Sequence, residues 1–209
     1  MRGVLIILEG CDHSGKSTQS VRLVNFLNNN GYRAELLSFP NRSTSIGMII
    51  DEYMKGKHDL DDHAIHLLFS ANRWELDATM RTKLNSGITL IVDRYVYSGR
   101  VYSMAKGLDE DWCRSSDLGL IRPDRIFYLD VDLKDLERGD FGKERYEMLS
   151  FQEKVQKLFS SIEDSRWQIV DGRRSVDKIH TELCINVIDT ISKCNDKPLG
   201  EIFKVWGYW

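Results

Sequence analysis

Five consecutive apolar residues, "VLIIL" at 4–8, run directly into "EGCDHSGKST" at 9–18, and this junction limits the possible folds more than any other stretch. A short unbroken apolar run reads as a strand buried on both faces, as in a parallel sheet. Residues 10–17 then satisfy G-x-x-x-x-G-K-[ST]. Val21, Val24 and Leu27 give residues 16–29 an amphipathic helical spacing that frays at "NNNG". Strand, glycine-rich loop and helix together form a phosphate cradle: backbone N–H groups converge on phosphate oxygens and the helix N-terminus adds partial positive charge. Gly10 and Gly15 permit the turn, Lys16 is placed to contact the β- and γ-phosphates, and the Ser17 hydroxyl to bind Mg²⁺. This specifies a nucleoside triphosphate and leaves the enzyme class open.

Four further stretches read as strands: "RAELLSF" (33–39), "TLIVD" (89–93, again apolar throughout), "RIFYLDV" (125–131) and "WQIVD" (167–171). Helical patterns at 46–54, 63–84, 144–162 and 176–191 separate them. Strands alternating with helices predict an α/β domain with a mostly parallel five-stranded sheet and right-handed crossovers, its ligands beyond the carboxyl ends of the strands. With 209 residues and no linker, repeat or low-complexity tract, a single domain over 1–209 is expected. The 29 Lys and Arg against 32 Asp and Glu leave a net charge of −3, which argues against a nucleic-acid partner. No apolar stretch approaches the ~20 residues of a membrane span. The four cysteines make no C-x-x-C pair, so a reduced intracellular compartment is expected, the cytoplasm with the nucleus as the alternative.

Three other constellations carry chemistry. Asp93 and Arg94 in "IVDRYVYSG" leave an apolar strand, Asp93 to support the Mg²⁺ shell and Arg94 to grip a second phosphate bidentately; a surface ion pair is the plainer alternative. Phe69 and Arg73 in "LLFSANRWE" share one helix face, where a ring can stack on a base and a guanidinium can bond its edge; periodicity alone favours a core Phe beside a surface Arg. "LERGDFGKERYE", within 136–147, mixes glycines with Arg138, Lys143 and Arg145, a composition suited to a hinged lid bringing cations over phosphates or to a solvated turn. Arg42 in "SFPNRS" carries little weight by itself.

Together these residues resemble the thymidylate kinase family, in its eukaryotic form. The resemblance runs through "SGKSTQS", "AELLSFPNRST", "DDHAIHLLFSANRWE", "GITLIVDRYVYSG", "GLIRPD", "FGKERYE" and "KPLGEIFK". It implies the P-loop nucleoside monophosphate kinase fold and transfer of the ATP γ-phosphoryl group to dTMP, with Mg²⁺, in a homodimer. Under it, Gly10, Ser14, Gly15, Lys16, Ser17, Thr18 and the lid's Arg138 look like ATP contacts. Phe69 resembles the ring stacked on thymine, Arg73 the group on its O4 edge, and Arg42 and Arg94 the monophosphate clamp. Asp12 resembles the carboxylate on the 3′-OH and Tyr102 the ring beneath the sugar, with Ser98, Tyr146 and Gln152 as further acceptor contacts. Lys16, Arg94, Asp93, His13 and Arg145 form the implied catalytic set. A kinase for dUMP or dCMP, or a nucleotide-binding paralogue without catalysis, are the rival readings.

One departure stands out. The eukaryotic pattern usually places an arginine where this chain has His13. His13 either donates as imidazolium, or Arg145, Lys143 or Arg100 supplies the charge, or His13 fills space beside Asp12. Cys11 is expected only to be small. His63 and His66, without a third ligand, are expected to be packed or solvated. The aromatic tail "VWGYW" is expected to dock on the body or cover an interface.

Overall fold

The computed structural model describes residues 1–135, 141–194 and 196–202. Five parallel strands, β1 (Leu5–Glu9), β2 (Ala34–Ser38), β3 (Thr89–Asp93), β4 (Arg125–Asp130) and β5 (Trp167–Asp171), form one sheet in the order β2-β3-β1-β4-β5. The helices are α1 (Lys16–Asn29), α2 (Ser45–Met54), α3 (Asp62–Asn85), α4 (Val96–Ala105), α5 (Glu110–Ser115), α6 (Leu149–Ser160) and α7 (Val176–Cys194). Alternation along the central strand divides the core. Leu5 and Ile7 pack with Met80, Leu84, Val96, Val155 and Phe159 on one face of the sheet. Val4, Ile6 and Leu8 pack with Leu23, Leu27, Ile179, Leu183 and Val187 on the other. All five of these residues from the apolar run are completely buried, as a strand covered on both faces requires.

The expected α/β sheet of five parallel strands flanked by helices is what the structure shows. Two local expectations need correction. The helix expected from residue 144 begins at Leu149. Its first residues are diverted because the Glu147 carboxylate accepts the backbone N–H groups of Gly142, Lys143 and Glu144, while Arg145 N donates to Met54 O. Helix α4 was not expected, since "VYSGRVYSMA" is rich in β-branched and aromatic residues and contains a glycine. Tertiary packing overrides that preference: a Cβ at Gly99 would stand 2.8 Å from Arg73 Nη2, so only glycine lets α4 lie this close to α3.

Sheet order positions the site. β1 and β3 are neighbours in the register Leu8↔Asp93, and Arg94 N donates to Leu8 O at 3.0 Å. The loops leaving these two strands therefore open side by side at the carboxyl edge. Among the described residues, no helix is long and apolar enough to cross a membrane.

Candidate active site

The loop after β1 is shaped by glycine at two points. Gly10 has φ 150, and a Cβ there would lie 2.7 Å from Ser14 Oγ and 2.9 Å from Leu129 O. Gly15 has φ 91 and caps α1 without any side-chain acceptor; the first turn of the helix carries no acidic residue. Its N-terminal amides and partial positive charge therefore stay available to an anion. Lys16 is buried and curls back over the loop, donating to Cys11 O at 2.5 Å and Ser14 Oγ at 3.2 Å. Burial and the neighbouring Arg94 push its pKa down to about 8. Ser17 Oγ donates to Asp93 Oδ2 at 2.5 Å, and Asp93 Oδ1 is buried with no hydrogen-bond partner among the described residues. A hydroxyl beside a carboxylate with an orphaned oxygen fits Mg²⁺, which needs few protein ligands when phosphates and water complete its shell.

Opposite the loop lies a cavity of about 360 Å³ whose lining includes Asp12, Arg42, Phe69, Arg73, Arg94 and Tyr146. Arg94, with φ 66, ties the two sides together. Its Nη1 donates to Gly10 O at 2.9 Å and Ser98 Oγ at 3.0 Å, and its Nη2 to Asp12 Oδ1 at 2.5 Å. The guanidinium also sits 5.2 Å from the Tyr102 ring centroid. Asp12 further accepts from Tyr102 Oη at 3.1 Å and Gln152 Nε2 at 2.7 Å, and Gln152 Oε1 accepts from Asp12 N. Burial alone would raise the Asp12 pKa, but Arg94 and Lys16 outweigh it, so the carboxyl is held below its ordinary value. Phe69 is half-buried on α3 against Ile50, Tyr53 and Ile65. Arg73, one turn on, is 2% exposed and gives its Nε and Nη2 to Asp117 at 2.8–3.0 Å. Tyr146 lines the cavity with its ring stacked on Phe151 at 5.2 Å.

The structure thus gathers Asp12, Ser17, Arg42, Phe69, Arg73, Asp93, Arg94, Ser98, Tyr102 and Tyr146 around one cavity. Of the other cations expected near the phosphates, Arg145 and Arg100 are placed elsewhere and Arg138 lies outside the described residues. Arg145 stacks 4.2 Å from the Tyr53 ring centroid and donates to Asp59 at 2.6 Å, and it does not line the cavity. Its long side chain finds a carboxylate and an aromatic face on the α2–α3 connection, and both hold it there. Arg100 points to Glu110 and also lies outside the cavity. The aromatic tail likewise lies outside the described residues. His13 is exposed with φ 58; its Nε2 is 3.0 Å from Glu147 Oε1 and its ring meets Phe141 edge-on at 5.5 Å. His66 is fully buried, bonded to Ser103 and Cys113 O, and is a packed core histidine.

Residues without a sequence signal complete the site. Glu9 ends β1 completely buried and accepts from Tyr95 N, Ser98 N and Ser98 Oγ at 2.9, 3.2 and 2.5 Å, anchoring the start of α4. Burial raises its pKa. Like Asp93, Asp130 and Asp171 it is an acidic residue ending a strand, so its position alone does not single it out. Asp117 lies in a turn 44 residues from Arg73, with no local pattern to reveal the pairing.

Comparison with known proteins agrees with this geometry. The family model for thymidylate kinase matches residues 8–183. A thymidylate kinase of Arabidopsis thaliana is 48% identical over 201 residues, 95% of this chain and 76% of that protein. The human thymidylate kinase is 46% identical over 208 residues, 97% of this chain and 98% of its own. Among solved structures, thymidylate kinase from Candida albicans superposes with a TM-score of 0.86 at 39% identity, covering 96% of this chain and 98% of that one. A phosphate loop facing a cation-lined cavity, on this sheet and at this level of identity, places the chain in the thymidylate kinase family.

Proposed function

We propose that this chain, as a single domain, transfers the γ-phosphoryl group of ATP to dTMP, giving dTDP and ADP. The observation that carries the reading is Arg94. It hydrogen-bonds the carbonyl of Gly10 in the donor loop and lines the facing cavity with Arg42, Phe69 and Arg73. A guanidinium shared by two sites suits direct in-line transfer, in which the protein supplies position and charge. Lys16 and the α1 N-terminus hold the ATP phosphates, with Gly10, Ser14, Gly15, Ser17 and Thr18 around them and Arg138 toward adenine. Arg42 and Arg94 hold the acceptor phosphate, Phe69 stacks on thymine, and the remaining Nη1 of Arg73 reaches its edge. Asp12, Tyr102, Ser98, Tyr146 and Gln152 surround the sugar and phosphate. Ser17 and Asp93 would hold Mg²⁺, whose charge would neutralise the phosphate oxygens.

The chain acts as a homodimer in this reading. Met48 and Ile49 on α2 and Leu67 on α3 are 46–56% exposed, which a second copy would cover. Four free cysteines suit the reducing cytoplasm. A coupled ADP-release assay across nucleoside monophosphates tests the activity: dTMP ranks first, and preference for dUMP or dCMP, or binding without ADP release, rejects it. Light scattering during gel filtration checks the dimer.

A further inference from the structure

Residues 141–147 touch both phosphate sites, with Tyr146 buried in the core and Phe141 packed against it. At one end, Glu147 Oε2 accepts the N–H groups of Gly142, Lys143 and Glu144 at 2.9, 2.8 and 3.1 Å, and Oε1 reaches His13 Nε2 at 3.0 Å. Its side chain is 11% exposed. His13 is thereby held, with Phe141 against its ring, in a left-handed conformation that a non-glycine residue adopts at a cost. At the other end, Glu144 Oε1 and Oε2 accept from Arg42 Nη1 at 2.6 Å and Nη2 at 3.0 Å, and Asp51 takes a second Nη1 hydrogen at 2.7 Å.

A guanidinium has five N–H donors. These contacts use three of Arg42's, and among the described residues its Nε–H and one Nη2–H stay unengaged. Those two lie side by side and form the fork that grips a phosphate bidentately. Arg73 shows the opposite arrangement, because Asp117 fills its Nε/Nη2 fork. Glu144 instead takes the end of the group and leaves the fork open on a side chain that lines the cavity.

We propose that Glu144 and Glu147 are positioning residues. Glu144 aims the open fork of Arg42 at the acceptor phosphate, and Glu147 holds His13 of the donor loop on the same segment, so residues 141–147 brace the two phosphate sites against each other. The proposal rests on reading Arg42 as a phosphate clamp. It also gives His13 a role that needs no imidazolium: its side chain fastens the loop.

The test is steady-state kinetics of wild type, Glu144→Gln, Glu147→Ala and His13→Ala, with melting temperatures recorded for each. Glu144→Gln keeps shape but loses one acceptor oxygen and the charge. It should raise KM for dTMP about tenfold, with KM for ATP within about twofold. Glu147→Ala and His13→Ala should each raise KM for ATP severalfold, and the double variant no further, because both remove one link. An unchanged KM for dTMP in Glu144→Gln, or parallel rises for both substrates, overturns the brace. Should Glu147→Ala fail to fold, His13→Ala, which removes only the exposed partner, decides the donor end. A wild type inactive on dTMP instead rejects the proposed function, and calorimetric binding of ATP and dTMP to the same variants then judges the brace by the same split.

Discussion

The donor and acceptor halves of this site are built from different materials. The donor half is mostly backbone: two glycines in positive φ, an uncapped helix end and a lysine bonded within its own loop. The acceptor half is mostly side chains drawn from α2, α3, α4 and residues 141–152, each fixed by a partner distant in sequence, as Arg73 is by Asp117 and Gln152 by Asp12. A loop made of backbone can lose one side chain without losing its shape. A wall of interlocked side chains cannot. Substitutions on the donor side should therefore cost activity at constant stability, and those on the acceptor side should cost both.

The largest expected effect tests the donor half. Lys16→Met removes the loop's charge while retaining an apolar stem for the buried site, so kcat should fall by about 10³-fold or more. Its urea midpoint should match wild type or exceed it, because a desolvated ammonium has been removed. Retained activity would sink the donor assignment, and a large loss of stability would break the comparison.

That difference in material also explains what the sequence made visible. The donor half is contiguous, so residues 4–29 contain the strand, loop and helix in one readable pattern, and the apolar run lies where alternation between two core faces requires. The acceptor half required knowing which distant residues meet. Phe69 and Arg73 were visible as a helix pair, but Asp117 was not, because nothing in a turn sequence records a partner 44 residues away. Helix α4 escaped notice for a related reason: its glycine, unfavourable for an isolated helix, is needed by the Arg73 guanidinium packed on it. Arg145 reads as a phosphate-facing cation in sequence, yet Asp59 and Tyr53 hold it on the α2–α3 connection.

The next effect addresses the acceptor half. Asp117→Ala would leave Arg73 charged and unpaired where the two side chains are 2% and 3% exposed. Breaking a buried pair this way costs about 3 kcal/mol, roughly 10²-fold in the folding equilibrium. Chemical denaturation should show that loss, and KM for dTMP should rise with it as Arg73 shifts. A variant as stable as wild type would show that the acceptor wall is not interlocked. Phe69→Ala should be milder, raising KM for dTMP about tenfold through lost stacking, with KM for ATP unchanged. Because Phe69 packs on Ile50, Tyr53 and Ile65, its melting temperature should drop as well. Equal effects on both KM values would remove Phe69 from base recognition.

The smallest effect distinguishes the halves by pH. Burial, reinforced by Arg94, lowers the Lys16 pKa from 10.5 to about 8 in the free protein. Bound triphosphate favours the charged lysine, so above pH 8 binding of ATP must also take up a proton. Affinity for ATP should then weaken about fourfold between pH 7 and 8.5, and Lys16→Met should flatten that dependence. The sign for stability is opposite. Between about pH 8 and 10.5 the unfolded chain retains a proton that the folded chain has released, so this lysine's contribution to stability rises with pH. Calorimetric titration of ATP beside urea denaturation, both over pH 7 to 9.5, would separate the two trends. ATP affinity and the stability difference between wild type and Lys16→Met should move in opposite directions. If they move together, the lysine is not desolvated in the loop, and the donor half is not the preformed cradle its glycines and helix end describe.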